Sequence, residues 1–271
     1  MPSTLRQIPS TKDEAEAYFK RAIEVNPKNA SNLCNYAIFL KNQREDNDGA
    51  EAYYKQAIEA DPKRTSSLHS YAVFLSNQRG DLDGAEAYYK RAIEAEPPNA
   101  DILGAYAVFL EKQRGDKNGA EAYYKRAMEA DPKDASNLAN YGEFLVGLGR
   151  LTDGQEKLVA AFERLNGSKT GNMAEVCFSL WLVSRMQGQD AGRWERGFKL
   201  LIQQGFKRNP WDFDRMLEQA AKTLSAPELE YAKGLALAFL DETKVAGLER
   251  YERWRTLEPL DPSAAVPAAV A

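Results

Sequence analysis

Apolar residues recur at helical spacing through the first 165 residues, in pairs of stripes separated by short polar segments. One stripe lies within residues 33–40 and the next within residues 50–58. Apolar residues three and four positions apart fall on one face of an α-helix. The pattern therefore predicts pairs of amphipathic helices.

The pairs are copies of one another. The segment AEAYYK begins at Ala50 and recurs unchanged at Ala85 and Ala120, with the near copy AEAYFK at Ala15, so the period is 35 residues. Residues 50–84 and 85–119 are identical at 22 of 35 positions. A repeat of this length predicts one supersecondary unit that stacks on its copies to form a solenoid.

Polar residues and prolines mark the ends of the predicted helices. Each second helix should stop before a proline, because proline cannot donate the next backbone hydrogen bond; these prolines are Pro27, Pro62, Pro97 and Pro132. The next helix should be capped by the residues Asn29, Asn99 and Asp134, whereas Arg64 offers no cap. Pairs such as Asp48 with Glu51 predict a capping box at the start of each second helix.

The residues at fixed places in the pair carry a resemblance to a known family. They are Leu33, Tyr36, Ala37, Leu40, Ala50, Tyr54, Ala57 and Pro62. This pattern resembles the tetratricopeptide repeat from Asp13 to about Gly167, with Leu33 in place of the usual Trp and a turn at 45–49 that is one residue longer. The resemblance implies an all-α, right-handed solenoid of helix hairpins that acts as a non-enzymatic protein-interaction scaffold or adaptor.

The resemblance also implies where a partner binds, because the first helix of each pair lines the groove in this family. The positions opposite the packed stripe are Ser31, Cys34, Asn35, Ile38, Asn42, Ser66, His69, Ser70, Val73, Asn77, Asp101, Ala105, Val108, Lys112, Ser136, Asn140 and Glu143. Only Asn35 and Asn140 match the family's carboxylate clamp, so we expect a weakly charged trough for an apolar helix or extended peptide. The alternative is that these small residues only permit tight curvature of the solenoid.

The chain divides by composition. We predict an N-terminal arm (1–12), a solenoid of a half repeat plus four helix pairs (13–167), a helical C-terminal region (168–260) and a flexible tail (261–271). The C-terminal region carries all four tryptophans and is either a cap, continued solenoid or a separate domain. The open face of the half repeat is covered by Leu5 and Ile8 or else forms a self-association edge, since solenoid ends need polar caps. The tail is disordered or fills the trough.

Composition and charge reduce the number of possible functions. A net charge of −4 gives no general attraction for phosphate, so we expect no nucleic-acid partner. The start of the sequence has no secretory signal, and no stretch approaches a membrane span, so we expect a cytoplasmic protein without membrane insertion. Cys34 and Cys177 have neither disulfide-framework nor metal-ligand spacing.

The sequence contains few residues that would support a catalytic or a metal-binding site. His69 is the single histidine, so it cannot form a catalytic His pair, and we expect a hydrogen-bonding role for it. We predict no enzyme, cofactor or metal. Two alternatives remain: a self-assembling structural protein, or an enzymatic or regulatory C-terminal domain. The second would need a pocket that gathers Trp211, Asp212, Asp214 and Glu218.

Overall fold

The protein is helical in every part that the structure describes. The structure is a computed structural model and describes residues 11–95, 99–165, 170–206 and 213–261. Within these ranges it contains fourteen α-helices and no strand, which confirms the predicted all-α class. The chain forms two compact units, which divide between Ala130 and Asp131.

Unit 1 contains the half repeat and three helix pairs. Its helices are α1 (Lys12–Val25), α2 (Ala30–Phe39), α3 (Asn47–Ala60), α4 (Thr65–Phe74), α5 (Leu82–Ala95), α6 (Ala100–Phe109) and α7 (Lys117–Ala130). Helix α1 packs on α2, and the three pairs are α2 with α3, α4 with α5, and α6 with α7. We call α2, α4 and α6 the A helices, and α3, α5 and α7 the B helices.

The edge of unit 1 at α1 is open in the described part of the chain. Val25 is 82% exposed, and Tyr18 is also exposed. Leu5 and Ile8, predicted to cover this edge, lie outside the described residues. Whether the edge is a cap or a self-association surface therefore stays a prediction.

Prolines and caps end the helices mostly as the sequence predicts. Helices α1, α3 and α7 each stop two residues before a proline. Asn29 accepts a hydrogen bond from the backbone of Asn32, as predicted, and Arg64 makes no side-chain cap. The predicted capping boxes are wrong: the B helices are capped two residues earlier, as when Asp46 accepts from the Gly49 backbone at 2.9 Å.

The acidic residues assigned to those boxes lock neighbouring repeats together instead. Glu51 accepts hydrogen bonds from the Tyr71 hydroxyl at 3.3 Å and from Nε of Arg79 at 2.7 Å. Asp48 binds Nη2 of the same Arg79 at 2.6 Å. Glu16 with Arg44 and Glu86 with Arg114 make the corresponding contacts. The glutamate of AEAYYK therefore holds the tyrosine and arginine of the next repeat.

A π-helical turn accommodates the extra residue of the 35-residue repeat. Each A helix of unit 1 ends in five π-helical residues, at Leu40–Arg44, Leu75–Arg79 and Leu110–Arg114. A π-turn closes five rather than four residues per hydrogen bond, so it adds one residue without a longer loop. The next residue is left-handed and is Glu45, Gly80 or Gly115.

Unit 2 contains the fourth helix pair and the C-terminal helices. Its helices are α8 (Ala135–Gly147), α9 (Leu151–Leu165), α10 (Gly171–Met186), α11 (Gly192–Gln203), α12 (Asp214–Ala220), α13 (Ala226–Leu240) and α14 (Glu252–Thr256). Helices α8 and α9 form one pair and α10 and α11 another. The predicted division near residue 167 stays a prediction, while the fourth pair lies in the same unit as the C-terminal helices.

Helix α10 is the centre of unit 2. Every residue from Met173 to Ser184 is buried, because α8, α9, α11, α12 and α13 all contact this helix. A helix that is mostly apolar around its circumference, as α10 is apart from Glu175 and its serines, is expected to be enclosed in this way.

The C-terminal region is helical, as predicted, but its last part is not a continuous α-helix. The residues after α13 form a 3₁₀ helix (Glu242–Arg250) followed by the short α14. Gly247 and the β-branched Thr243 and Val245 lie in that segment, and these residue types disfavour a continuous α-helix. Trp211, Asp212 and nearly all of the tail lie outside the described residues.

Candidate partner-binding face

The A helices of unit 1 present three rows of residues on one side. Each helix contributes residues at positions i, i+3 and i+7, which lie on one helix face. We call this surface the A-helix face, and its residues are Asn35, Ile38, Asn42, Ser70, Val73, Asn77, Ala105, Val108 and Lys112. All nine were predicted, and all are exposed or half-buried.

The middle row of the A-helix face is apolar in every repeat. Ile38, Val73 and Val108 occupy equivalent positions 35 residues apart, and each is half-buried. Half-burial leaves part of each side chain available to a ligand, whereas the neighbouring packed positions are closed. The row is therefore a narrow apolar strip on the accessible side of the helices.

A depression lies at the α1 end of this strip. It has a volume of about 350 Å³ and is lined by Phe19, Asn35, Ile38, Phe39, Asn42 and Gln43. The sequence prediction missed Phe19, Phe39 and Gln43. Phe19 occupies the position of the buried Tyr54 in the next repeat, and it is only half-buried because the described chain places no A helix before α1.

The amides beside the strip are free to bind a partner's backbone. Asn35, Asn42 and Asn77 are exposed, and their side chains form no hydrogen bond with the described residues. An asparagine side chain both donates and accepts hydrogen bonds. The face thus combines an apolar strip with unsatisfied amides, of which Asn35 lies on α2 and Asn42 and Asn77 lie in the π-helical turns that follow α2 and α4.

The first turns of the A helices are polar and partly accessible. Ser66 and Asp101 are exposed, and Ser31 is half-buried. These predicted residues lie at the opposite end of each A helix from Asn42, Asn77 and Lys112, so they extend the accessible surface along the helices.

Cys34 lies on the packed side rather than on the A-helix face, whereas His69, at the equivalent position of α4, is half-buried. Cys34 is buried, and burial is the main reason that the pKa of its thiol is raised. The His69 ring lies 5.8 Å from the Tyr89 ring on the paired B helix. Its Nε2 is enclosed without a hydrogen-bond partner in the described chain, and the hydrogen-bonding role expected for His69 stays a prediction. Burial lowers the pKa of His69, and Asp101 partly opposes this shift.

In unit 2 the equivalent side of α8 is covered at Glu143. Glu143 is buried and accepts a hydrogen bond from the Ser179 hydroxyl at 2.5 Å. Asn140 is half-buried, and its enclosed Oδ1 has no hydrogen-bond partner. Ser136 is half-buried. Of the three residues predicted on α8, Glu143 is therefore closed to a partner.

Helix α12 packs against α8 and α10. Gln219 donates a hydrogen bond to the Gly147 carbonyl at 2.9 Å. A Cβ atom at Gly147 would approach Cβ of Arg215 to 3.2 Å, so glycine permits this close contact. The chain's own α12 therefore takes up part of the surface next to α8.

The residues considered for metal or catalytic chemistry are placed only in part by the described residues. The described residues contain no group of three side chains that could hold a metal ion. Asp214 and Glu218 do line a depression on unit 2, but Trp211 and Asp212, which the enzymatic alternative would need beside them, lie outside the described residues. No helix within the described ranges is long and apolar enough to cross a membrane.

The geometry of unit 1 defines a class of protein: stacked helix hairpins with an accessible face on their first helices. The sequence model for the tetratricopeptide repeat matches residues 12–65 and 78–135. The matched residues are tetratricopeptide repeats, as the resemblance implied.

Solved structures share the fold at low sequence identity. PilW, a widely conserved type IV pilus biogenesis factor, is 19% identical with a TM-score of 0.58, and the match covers 76% of this chain and 90% of PilW. Pseudomonas aeruginosa pilF is 17% identical with a TM-score of 0.53, covering 88% of this chain and 98% of pilF. A chain of the APC/C hetero-tetramer Cut9-Hcn1 is 13% identical with a TM-score of 0.57, covering 88% and 46%. No curated protein matches the sequence.

Proposed function

We propose that this protein is a non-enzymatic adaptor that binds a helix or extended segment of a partner protein on the A-helix face of unit 1. The observation that carries the proposal is the apolar strip of Ile38, Val73 and Val108 beside free amides. An apolar strip supplies affinity by burial, and amides satisfy the backbone groups of a bound segment.

The charge of the face indicates the chemistry of the partner. Among the nine residues only Lys112 is charged. A strongly charged peptide would lose hydration without gaining ion pairs on such a surface. The partner segment should therefore be rich in small or medium apolar residues and carry few charges.

Selection from a displayed peptide library, followed by affinity measurement with the enriched peptides, tests this function. Val73→Arg places a cation in the strip and should weaken binding by about tenfold or more. Asn35→Ala, at an exposed site that leaves packing intact, should weaken it by a smaller factor.

Ala87→Arg is the matched control, because Ala87 is exposed on the B helix α5. The control should bind the peptides as well as the parent does, and circular dichroism should show that all variants remain folded. Enriched peptides whose affinity is unchanged by Val73→Arg and Asn35→Ala would contradict the proposal.

A further inference from the structure

A second apolar depression lies on unit 2, between α12 and α13. It has a volume of about 750 Å³. The residues that line it are Phe213, Asp214, Leu217, Glu218, Ala221, Leu229, Lys233, Ala236, Leu237 and Leu240. Leu237 is 55% exposed. It is one of three large apolar side chains found exposed among the described residues.

Helix α13 is apolar on two adjoining faces, of which one is packed. Tyr231, Leu235 and Phe239, at positions i, i+4 and i+8, are buried in the core. Leu229, Leu237 and other residues of the second face line the depression. A helix with so wide an apolar surface is typical of one that is covered on both sides.

Helix α12 forms the other wall in a similar way. Met216 and Ala220 are buried toward the core, and Gln219 contacts α8. Leu217 and Ala221 lie on the remaining side and line the depression. Both walls therefore offer apolar side chains held in place by contacts on their opposite faces.

The lining is suited to a helix rather than to an extended peptide. Both walls are helices, whose backbone groups are largely bonded within each helix, and the charged side chains of the lining are few. An extended segment would leave its own backbone N–H and C=O groups without partners there, whereas a helix satisfies them internally. The lining run of α13 from Leu229 to Leu240 extends over about 16 Å, or three helical turns.

The charged residues around the depression indicate which charge a bound segment should carry. Asp214 and Glu218 lie one turn apart on α12. Glu218 is exposed and forms no ion pair or hydrogen bond with the described residues. On α13, Lys233 is already paired with Glu230 at 2.9 Å. The α12 side is therefore acidic and complements a cation on the occupant.

We infer that this depression binds an amphipathic helix of a partner protein, which places apolar residues at i, i+4, i+7 and i+11 between α12 and α13 and a Lys or Arg beside Glu218. This surface belongs to unit 2 and is independent of the A-helix face proposed above.

Two labelled synthetic peptides test the inference in the full chain. Both carry the same leucine stripe at i, i+4, i+7 and i+11, and their flanking residues are Lys in one peptide and Glu in the other. Fluorescence anisotropy should show that the Lys peptide binds at least about tenfold more tightly than the Glu peptide. Leu237→Glu should weaken the Lys peptide by about tenfold or more.

Charge reversal provides the matched comparison. Glu218→Lys should remove the preference for the Lys peptide, whereas Glu163→Lys, at an exposed site on α9, should keep it. Val25→Glu, at an exposed apolar residue of α1, should leave both affinities unchanged. Circular dichroism should show that every variant is folded.

Four results would overturn the inference. One is no binding of either peptide at about 1 mM, and another is binding that Leu237→Glu does not weaken. A third is a dimer of the parent that Leu237→Glu dissociates, which would make a second copy the occupant. The fourth is peptide binding only after residues 262–271 are removed, which would make the chain's own tail the occupant. None of these results bears on the Val73→Arg test of the A-helix face.

Discussion

The buried Glu195 carboxylate and Arg253 give the sharpest stability prediction for unit 2. The Glu195 side chain is fully buried. Its oxygens accept hydrogen bonds from Nε of Arg253 at 2.7 and 2.9 Å and from the Tyr231 hydroxyl at 2.8 Å. Nη2 of Arg253 also binds the carboxylate. This cluster joins α11, α13 and α14.

Arg253→Leu leaves the buried carboxylate with the Tyr231 hydroxyl alone. Removing one partner of a buried ion pair costs about 3–5 kcal/mol, because the other charge stays desolvated. The Arg253 side chain is 42% exposed, so water can reach the carboxylate from that side. We therefore expect the free energy of unfolding to decrease by about 3 kcal/mol, at the lower end of that range.

Removing the whole cluster should cost less than removing the cation. The triple variant Glu195→Leu, Tyr231→Phe, Arg253→Leu leaves neither the charge nor its partners behind. Replacing a buried ion pair by apolar residues is often neutral, and we expect the triple variant to lie within about 1 kcal/mol of the parent.

Urea unfolding followed by tryptophan fluorescence measures these changes. The tryptophans of the described residues, Trp181, Trp194 and Trp254, all lie in unit 2, so the signal reports that unit. Arg255→Leu, at an exposed residue, is the control and should change stability by no more than about 0.5 kcal/mol. A triple variant less stable than Arg253→Leu would refute the reasoning.

Three predictions concern unit 1. Glu45→Gly should raise the free energy of unfolding, measured by urea denaturation, by about 0.5–1 kcal/mol, because Glu45 has φ +57° where Gly80 stands in the next repeat; an unchanged midpoint would argue against backbone strain. His69→Ala should reduce the loss of stability that occurs as the pH is lowered from about 7 to about 5. Burial lowers the pKa of His69 in the folded chain, so the unfolded chain binds the proton more tightly and the folded chain becomes less stable as the pH decreases. The same slope in the variant would exclude His69 as its source. Glu51→Ala should lower Tm more than Asp48→Ala, because Glu51 is 22% and Asp48 94% exposed; equal losses would contradict this ranking.

The sequence predicts the scaffold well because the residue type at each position largely determines which residues are buried and where each helix ends. Small residues such as Ala37 and Ala50 are fully buried, as their recurrence indicates. The end of α3 before Pro62 depends only on local backbone chemistry. Such features need no knowledge of neighbouring repeats, so one sequence is enough to predict them.

The capping error has a physical origin in the pattern itself. Asp46 directly precedes the B helix α3 and Asp48 lies in its first turn, and both are residues that cap helices well. Only the repeat that follows decides between them, because Arg79 attracts Asp48 and Glu51 into a contact across the repeat boundary. A motif of four consecutive residues cannot predict an ion pair with a residue in the next repeat.

The candidate site was predicted in part for a similar reason. Helical spacing places Asn35 and Ile38 correctly on the accessible side. It does not separate them from Cys34, which lies next to Asn35 in the sequence but is buried. Glu143 corresponds to Val108 in the preceding repeat, yet it is enclosed in a unit where α12 packs on α8. Only the fold of the C-terminal residues shows that Glu143 is buried by neighbouring helices.

The repeat length shows how two different backbones satisfy one apolar pattern. In unit 1 each A helix ends in a π-turn and the period is 35 residues, whereas α8 ends without a π-turn. There the buried positions return after 34 residues: Ala120, Tyr124 and Ala127 correspond to Gly154, Leu158 and Ala161. The extra residue is therefore absorbed where the A helix ends and does not disturb the packed stripe. A longer loop would preserve the same stripe, so the spacing of apolar residues alone could not distinguish it from a wider helical turn. The hydrogen bond from the Glu45 backbone to the Leu40 carbonyl makes that distinction.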